Sequence, residues 1–317
     1  MKKNVLTLIC LFSFFIHYGQ TKVSWGDEFK LKRGSTDLGV IKADVTGVYL
    51  EESHIIRGWA GRERKSSILV KLNASMSEIY RKDYDHDLKG KELEDFLFIQ
   101  DKLYLFASSV DKKAKTLNLY AVELDKGSGD LRSDWKEIYN WDESEKGSDV
   151  QLKVTPNADS SRIVVTSTNT GKSENHYEIL MLDAALRPAG KPFSISNEFD
   201  PKTFQVEDFV YTSTGNSILV GRIYEYEEGK KKKDKNLLFR NYNIRVYDSQ
   251  GKMIKELVTD IDGKFLVNGK MIQLKNQIVL AAFYSNEKKK KEINGLLVER
   301  IDPATGNIIS STKKELN

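Results

Sequence analysis

The sequence predicts an all-β fold made of repeated four-stranded antiparallel units, and three observations predict it. First, a strand with alternating apolar residues that ends in Asn or Asp recurs five times, at intervals of 52 to 65 residues. Second, a strand that is nearly continuous in apolar residues precedes it in each unit. Third, turn sequences rich in Gly, Asp and Ser follow several of the recurring strands. Such a repeat is typical of a β-propeller, and about five blades are visible.

The alternating strand is the clearest element of the repeat, and it is interpreted as the third strand, c, of each unit. It occupies residues 68–73, 120–125, 178–183, 244–248 and 297–302. Strand a opens the unit and strand b follows after a short turn, for example at 96–99 and 103–107. In the first unit, the same reading places strands a and b at 48–50 and 54–56. Strand d closes the unit, as at 253–258 and 307–310.

The apolar pattern distinguishes a ring of sheets from a flat sandwich. Strand b is apolar on both faces, whereas strand c alternates, with Tyr242, Ile244 and Val246 on one face. An antiparallel strand that is apolar on both faces must be covered on both faces. Sheets stacked around an axis provide that cover for the inner strands. A β-sandwich is the second choice, because one hairpin pair repeated at nearly constant spacing fits a ring better.

The units are expected at about 37–84, 91–140, 150–197, 204–261 and 264–317, within one β-propeller domain of residues 21–317. Residues 23–32 look like an additional strand before the first unit. Since the last unit already has its own strand d, the additional strand either packs elsewhere or belongs to a larger ring. The second alternative, in which this chain is part of a longer protein with more blades, is slightly favoured.

Residues 1–20 are predicted to be a signal peptide. Lys2 and Lys3 precede an apolar run at 5–16, and a polar stretch follows, with cleavage expected near Gly19 or Gln20. The run is shorter than the 20 or so residues of a membrane span, and no later stretch is long enough. Cys10 lies before the end of the apolar run, which argues against lipidation there. The mature protein is therefore expected to be soluble, without a membrane span, and periplasmic or secreted.

Charge and composition exclude several function classes. The chain has 50 Lys and Arg against 46 Asp and Glu, a net charge of +4 that falls to +2 without the signal peptide, so nothing favours nucleic-acid binding. Removal of Cys10, the only cysteine, leaves no thiolate ligand or disulfide. His54, His86 and His176 remain, none at metal-ligand spacing, and no Ser nucleophile motif occurs. No cofactor is predicted.

The repeat resembles that of exported, uncharacterised β-propeller-like proteins of Gram-negative bacteria. The resemblance covers roughly residues 37 to 317. It lies in the strand pattern rather than in a blade motif, since no Gly-His to Trp-Asp pair recurs and the sequence Asp134-Trp135 has no counterpart in the other units. It implies a propeller fold and export. The resemblance implies no activity for any residue of this sequence.

One acidic segment mimics a calcium-binding loop. Asp83, Asp85, Asp87 and Glu94 occupy positions 1, 3, 5 and 12 of such a loop. Leu88 stands where the loop needs glycine, however, and a lysine occupies another ligand position. The segment is therefore interpreted as an acidic connection between blades, and no metal is assigned.

The charges of the connections suggest an acidic mouth. In a propeller, the b-to-c hairpins and the connections between blades lie on the same face. The hairpins sum to +7 and the interblade connections to −11. We expect an acidic mouth surrounded by basic hairpins, which would attract a cation or a cationic segment of a partner; alternatively, neighbouring loops of opposite sign merely pair. The candidate contact residues are Asp83, Asp85, Asp142, Glu143, Glu198 and Asp200.

Two functions from different classes fit this pattern. The favoured hypothesis is a non-catalytic binding or scaffold propeller that recognises a protein or glycan partner through one face. The alternative is a hydrolase or lyase that acts on polysaccharide, with carboxylates in the axial mouth as acid and base. No acid and base occur at a readable spacing, which favours the binding protein at this stage.

Overall fold

The structure is a computed structural model that describes residues 29–33, 35–57, 63–142, 150–157, 159–170, 174–198, 202–226, 237–259, 262–274, 277–287 and 292–316. Within these ranges the chain forms twenty strands and one short helix. The strands make five antiparallel sheets, each built from four consecutive strands. The sheets are arranged in a ring, so the predicted β-propeller of four-stranded antiparallel blades is confirmed, and the described residues form five blades.

The blades follow one another along the chain, and their strands have the following bounds. Blade 1 contains β1 (Ser35–Asp44), β2 (Gly47–Arg57), β3 (Glu63–Leu72) and β4 (Glu78–Asp83). After the helix α1 (Asp85–Leu88), blade 2 contains β5 (Glu92–Ile99), β6 (Lys102–Asp111), β7 (Thr116–Leu124) and β8 (Lys136–Asp142). Blade 3 contains β9 (Val150–Pro156), β10 (Ile163–Thr170), β11 (Glu174–Leu182) and β12 (Phe193–Glu198).

The last two blades complete the series. Blade 4 contains β13 (Phe204–Tyr211), β14 (Ser217–Tyr226), β15 (Leu237–Tyr247) and β16 (Met253–Val258). Blade 5 contains β17 (Phe265–Leu274), β18 (Gln277–Ser285), β19 (Gly295–Ile301) and β20 (Ile308–Glu315). First strands of neighbouring blades approach one another, as β1 and β5 do, and β5 and β9. The first strand of each blade is therefore the innermost.

The Asn or Asp that ends each alternating strand has a structural role. Its side-chain oxygen accepts hydrogen bonds from backbone N–H groups two to four residues later and so shapes the turn into the outer strand. Asp125, for example, accepts from Gly127 (2.7 Å) and Ser128 (3.0 Å). Equivalent bonds are made by Asn73, Asp183, Asp248 and Asp302. The repeat that is visible in the sequence is therefore a repeat of these turns.

One of these turns should make the stability of the protein depend on pH. The Arg132 guanidinium, and then the backbone N–H groups of Gly127 and Ser128, lower the pKa of Asp125 from 3.8 to about 2. Because the folded pKa lies below the unfolded one, the stabilisation is complete above about pH 4 and is lost as the pH falls towards 2. Asp125→Asn should therefore reduce the loss of stability between pH 5 and pH 2, measured by urea unfolding. The control is Asp134→Asn, which removes an exposed carboxylate nearby. An equal loss of stability between pH 5 and pH 2 in the two variants would contradict the assignment of this pH dependence to Asp125.

Blade 1 differs from the prediction. Residues 48–50 and 54–56, predicted as two strands, belong to the single strand β2, and the first strand is β1 at Ser35–Asp44. Glu51 and Glu52 resemble a turn in the sequence, but Glu52 is fully buried inside the strand. The real turn lies between Asp44 and Gly47. Gly47 has a φ of +132°, and a Cβ there would lie 1.9 Å from the Leu72 carbonyl oxygen, so glycine is required.

The segment before blade 1 is not an additional strand in the part described. Residues 23–28 lie outside the described ranges, and residues 29–32 are not in a strand. Phe29 instead packs on blade 1, beside Val48 and buried residues of β2 and β3. The predicted signal peptide also lies outside the described ranges. Among the described residues, no helix has the length and apolar character needed to cross a membrane.

The hydrophobic core is divided into layers between the blades. Four clusters join blades 1 and 2, 2 and 3, 3 and 4, and 4 and 5. A fifth cluster lies on blade 1 and includes Phe29, with no member from blade 5 in the described part of the chain. On blade 5, Ile272, Leu274 and Phe283 stay between 41% and 48% exposed. Among the described residues, the interface between blades 5 and 1 therefore has the least apolar packing of the interfaces between blades.

Candidate functional site

Four of the innermost strands, β1, β5, β13 and β17, contain a β-bulge, and in β5 and β13 the bulge carries two adjacent carboxylates. The register shifts between Leu93 and Asp95 in β5 and between Val206 and Asp208 in β13. The bulged residues are Glu94 and Glu207, and a Phe follows each Asp. A bulge bends the strand and redirects its side chains, which is why bulges are frequent near active sites. Blades 2 and 4 therefore present the same Glu-Asp-Phe element towards the axis.

The aspartate of each element is fixed by its own backbone. Asp95 Oδ1 accepts a hydrogen bond from the Phe96 N–H at 2.7 Å, and Asp208 Oδ1 accepts one from the Phe209 N–H at 2.8 Å. Asn268 makes the same contact with the next N–H at a bulge in β17. These short local bonds hold the side-chain oxygen in place, so the position of the group does not depend on loops.

The partners of the four carboxylates come from three blades. Asp208 forms an ion pair with Lys153 of β9, in the neighbouring blade, at 3.1 Å. Glu207 accepts two hydrogen bonds from Arg222, both at 2.7 Å, and this contact raises the pKa of Arg222. Glu94 accepts a hydrogen bond from the Ser108 hydroxyl. Two of the carboxylates thus face cations and one faces a hydroxyl group.

Two clefts adjoin at β9, between the two bulges. One, of about 500 Å³, is lined by Glu92, Glu94, Ser108 and Gln151. The other, of about 280 Å³, is lined by Gln151, Lys153, Glu207 and Asp208, and also by Asn175 and Tyr177. Gln151 lines both clefts, which lie on either side of β9, and the two together are here called the axial groove. It lies where the first strands begin, on the face that carries the connections between blades.

The wall of the axial groove in blade 3 is polar and well ordered. Buried Asn175 donates from Nδ2 to the Tyr177 hydroxyl at 3.1 Å, while its Oδ1 has no hydrogen-bond partner in the described structure. Thr166 and Tyr211 share a hydroxyl–hydroxyl bond behind it. Burial raises the pKa of Tyr177 and Tyr211, so both hydroxyls stay protonated. The groove therefore offers both donors and acceptors beside its carboxylates.

The predicted site residues of the acidic connection do not gather around a metal position. Asp83 ends β4 and forms an ion pair with Lys32 at 2.7 Å. Its carboxylate also accepts a hydrogen bond from the Asp85 N–H. The carbonyl of Asp87 accepts a hydrogen bond from Trp135 Nε1. The described residues contain no group of three potential ligands placed to hold an ion, and Glu94 belongs instead to the axial groove.

The remaining predicted contacts have separate positions. Asp142 ends β8 and is exposed in a cleft between blades 2 and 3. Glu198 ends β12 opposite Glu174, and its side chain is not described. Glu143 and Asp200 lie outside the described residues, as do most of the hairpin tips and interblade connections in the charge argument. The acidic mouth therefore stays a prediction.

Sequence analysis did not single out Glu207 and Asp208 of the axial groove, or Asp95 beside Glu94. All three were counted only as parts of the acidic connections between blades. The signal that could have found them is the repeat of an apolar residue, Glu, Asp and Phe in the first strand of two units, at 93–96 and 206–209. Charged residues at matching strand positions are unusual on an innermost strand, where both faces are near other blades.

Comparison with known proteins gives structural matches only. The chain matches no protein-family model and no curated protein. It is similar to the Penicillium chrysogenum α-L-arabinanase complexed with arabinobiose, at 9% identity and a TM-score of 0.45 over 89% of this chain and 93% of that one. It is also similar to the GH43 endo-arabinanase of Bacillus licheniformis, at 13% identity and a TM-score of 0.37 over 91% and 96%.

A second group of matches consists of longer proteins. Prolyl oligopeptidase B of Galerina marginata, bound to a 35mer substrate, matches at 12% identity and a TM-score of 0.44. The match covers 90% of this chain, which spans about a third of the length of that enzyme, 36%.

The favoured functional prediction is corrected at this point. A non-catalytic binding or scaffold propeller was expected, whereas the matched five-bladed propellers include arabinanases and arabinofuranosidases, which are glycoside hydrolases. That prediction was therefore wrong, and the alternative of a polysaccharide-acting hydrolase is taken forward. The support for this alternative comes from the carboxylates of this chain, because the matched hydrolases are only 8% to 13% identical to it.

Proposed function

We propose that the protein is a glycoside hydrolase that cleaves a neutral polysaccharide in the axial groove. The observation that carries the proposal is the pair of bulged Glu-Asp elements on β5 and β13, from which Glu94, Glu207 and Asp208 line the clefts on either side of β9. Glycoside hydrolysis requires two carboxyl groups on either side of the scissile bond. Strand bulges and self-capped aspartates hold such groups more rigidly than loops would.

The surroundings of each carboxylate suggest its role. Asp208, which is ion-paired with Lys153, is assigned as the carboxylate that attacks the sugar carbon or activates water. Glu94, which accepts a hydrogen bond from a neutral hydroxyl, is assigned as the acid that gives its proton to the leaving glycosidic oxygen. Water supplies the hydroxyl group of one product and the proton that restores the acid. Glu207, held by Arg222, orients the wall of the groove.

The charges favour a hydrolase of neutral chains over a lyase. A polysaccharide lyase acts on an acidic sugar and needs a cation to neutralise its carboxylate. The two cations near the groove, Lys153 and Arg222, already face Asp208 and Glu207. An anionic chain would therefore meet more carboxylates than free cations in the described part of the groove.

A screen of dyed polysaccharides tests the proposal. We expect release of soluble fragments from at least one neutral polymer, with linear arabinan in the first panel because arabinanases are among the matched propellers. The Asp208→Asn protein prepared in parallel should release fragments at least about 100-fold more slowly. Failure to cleave any polymer in a panel of arabinan, xylan, mannan and glucans would reject the proposal.

We also propose that the protein is exported and that residues 1–20 are removed. The support is the order of basic, apolar and polar residues at the N-terminus, together with a polymeric substrate that cannot enter a cell. The intact mass of the protein recovered from the periplasm or medium checks the cleavage. A mass that retains residues 1–20 would contradict it.

A further inference from the structure

A third cleft lies beside the axial groove, between blades 2 and 3. It has a volume of about 480 Å³ and is lined on the blade 2 side by Tyr139, Trp141 and Asp142 of β8. Blade 3 contributes Asn169, His176 and Glu178. Leu117 and Leu152, which line the axial groove, pair in register with Trp141 and Ser167, which line this cleft, so the two depressions are neighbours between blades 2 and 3. We call it the interblade cleft.

The aromatic side of the interblade cleft is preorganised. The rings of Tyr139 and Trp141 meet edge to face, with centroids 4.7 Å apart. Trp141 is only 5% exposed, because its ring is also part of the core between blades 2 and 3. Its buried Nε1–H has no hydrogen-bond partner in the described structure. A buried donor without a partner is costly, so an unpaired one that lines a cleft points to a ligand acceptor.

The polar side of the cleft is also held in place. The Tyr139 hydroxyl donates to Glu178 at 3.4 Å, which connects the two blades across the cleft. Burial, and then the charge of Glu178, raise the pKa of Tyr139. His176 is oriented by Ser196, at 2.9 Å from Nδ1, and lies 3.4 Å from Glu174 on its other side. The side chains are thus fixed by neighbours rather than left free in solvent.

The chemistry of the lining restricts the ligand. No lysine or arginine lines the cleft among the described residues, whereas Asp142 and Glu178 do, so an anion is disfavoured. Aromatic rings next to carboxylate, amide and imidazole groups suit a ring with one apolar face and several hydroxyl groups. A neutral sugar has that chemistry.

We infer that the interblade cleft is an accessory subsite that binds a neutral sugar unit of the same polysaccharide, away from the bond that is cleaved. The inference rests on the proposed function of the axial groove. It assigns to the interblade cleft the sugar units of the substrate that extend beyond the groove. Since Leu117 and Leu152 of the groove lie beside Trp141 and Ser167 of the cleft, a chain that leaves the groove between blades 2 and 3 enters the cleft. The subsite should therefore improve the binding of long chains and leave short substrates unaffected.

Calorimetric titration with arabino-, xylo- and cello-oligosaccharides tests the subsite. The titrations use the Asp208→Asn protein, so that no substrate is consumed. Tyr139→Ala should weaken the binding of the longest oligosaccharides about tenfold and leave that of the disaccharides unchanged. Tyr80→Ala is the matched control, because Tyr80 is another half-buried tyrosine in the outer strand of a blade, β4, and lines neither depression.

The outcomes separate the subsite from the proposed function. Equal affinities in Tyr139→Ala and the control, with both proteins folded by circular dichroism, would overturn the subsite, as would no binding of any oligosaccharide. Hydrolysis of short aryl glycosides that survives in Tyr139→Ala, together with weaker binding of long chains, is the result expected. Sugar binding that depends on Tyr139, in a wild-type protein that hydrolyses nothing, would reject the proposed function and keep the subsite.

Discussion

Arg81→Ala should lower the free energy of unfolding by about 3 kcal/mol, because it leaves a buried charge without its cation. Glu52 is fully buried in β2, and Arg81 of β4 donates to its carboxylate. Lys32 N–H and the Ser35 hydroxyl also donate to Glu52, but neither carries the compensating charge. Urea unfolding at neutral pH measures the change.

The same arginine holds the N-terminal segment against blade 1. Its Nη2 donates to the Lys30 carbonyl at 3.2 Å, and its guanidinium lies 5.0 Å from the centre of the Phe29 ring. The loss of Arg81 should therefore also release this segment, which limited proteolysis would detect as earlier cleavage near residue 30.

The control for Arg81→Ala is an exposed arginine with similar partners. Arg132 contacts Asp125 at 2.8 Å and Glu123 at 3.3 Å on the surface, where ion pairs contribute little. Arg132→Ala should change the stability far less. The double variant Glu52→Leu with Arg81→Met should regain part of the loss, because it removes both charges together. If Arg81→Ala and Arg132→Ala lowered the free energy of unfolding equally, the Glu52–Arg81 pair would not act as a buried ion pair that stabilises blade 1.

Asp208→Asn should lower kcat by about 10²- to 10⁴-fold, the range for a carboxylate that takes part in proton transfer or attack. The amide keeps the size of the side chain and can still accept the Phe209 N–H bond, but it cannot form the ion pair with Lys153. KM should change little, because the lost interaction acts mainly in the transition state. Steady-state kinetics on the polysaccharide identified by the screen measure both constants.

A matched control separates chemistry from charge. Asp101 forms an ion pair with Lys126 at 2.6 Å in the turn between β5 and β6, at the other end of the innermost strand. Asp101→Asn removes an Asp–Lys pair of the same kind and should leave kcat unchanged. A fully active Asp208→Asn protein, or an equal loss in both variants with unchanged melting temperatures, would remove Asp208 from the mechanism.

The proposed site could be predicted only in part. The sequence contains the Glu-Asp-Phe element twice, and Glu94 and Asp142 were already candidates, although for other reasons. What a strand pattern cannot show is the bulge, since one extra residue in a ladder depends on pairing with the neighbouring strand. Nor can it show that Gln151 of the intervening blade lines both clefts.

The sequence by itself determined the repeated four-stranded β-propeller architecture, because side-chain period and turn chemistry are local properties. Alternation fixes which face of a strand is buried, and Asp125, Asp183, Asp248 and Asp302 fix the turns through bonds to their own backbone neighbours. Tertiary structure alone decided that Glu52 lies inside β2, because an arginine 29 residues away in the chain compensates its charge. It likewise decided which carboxylates line the axial groove, since that follows from how separate blades pack around a common centre.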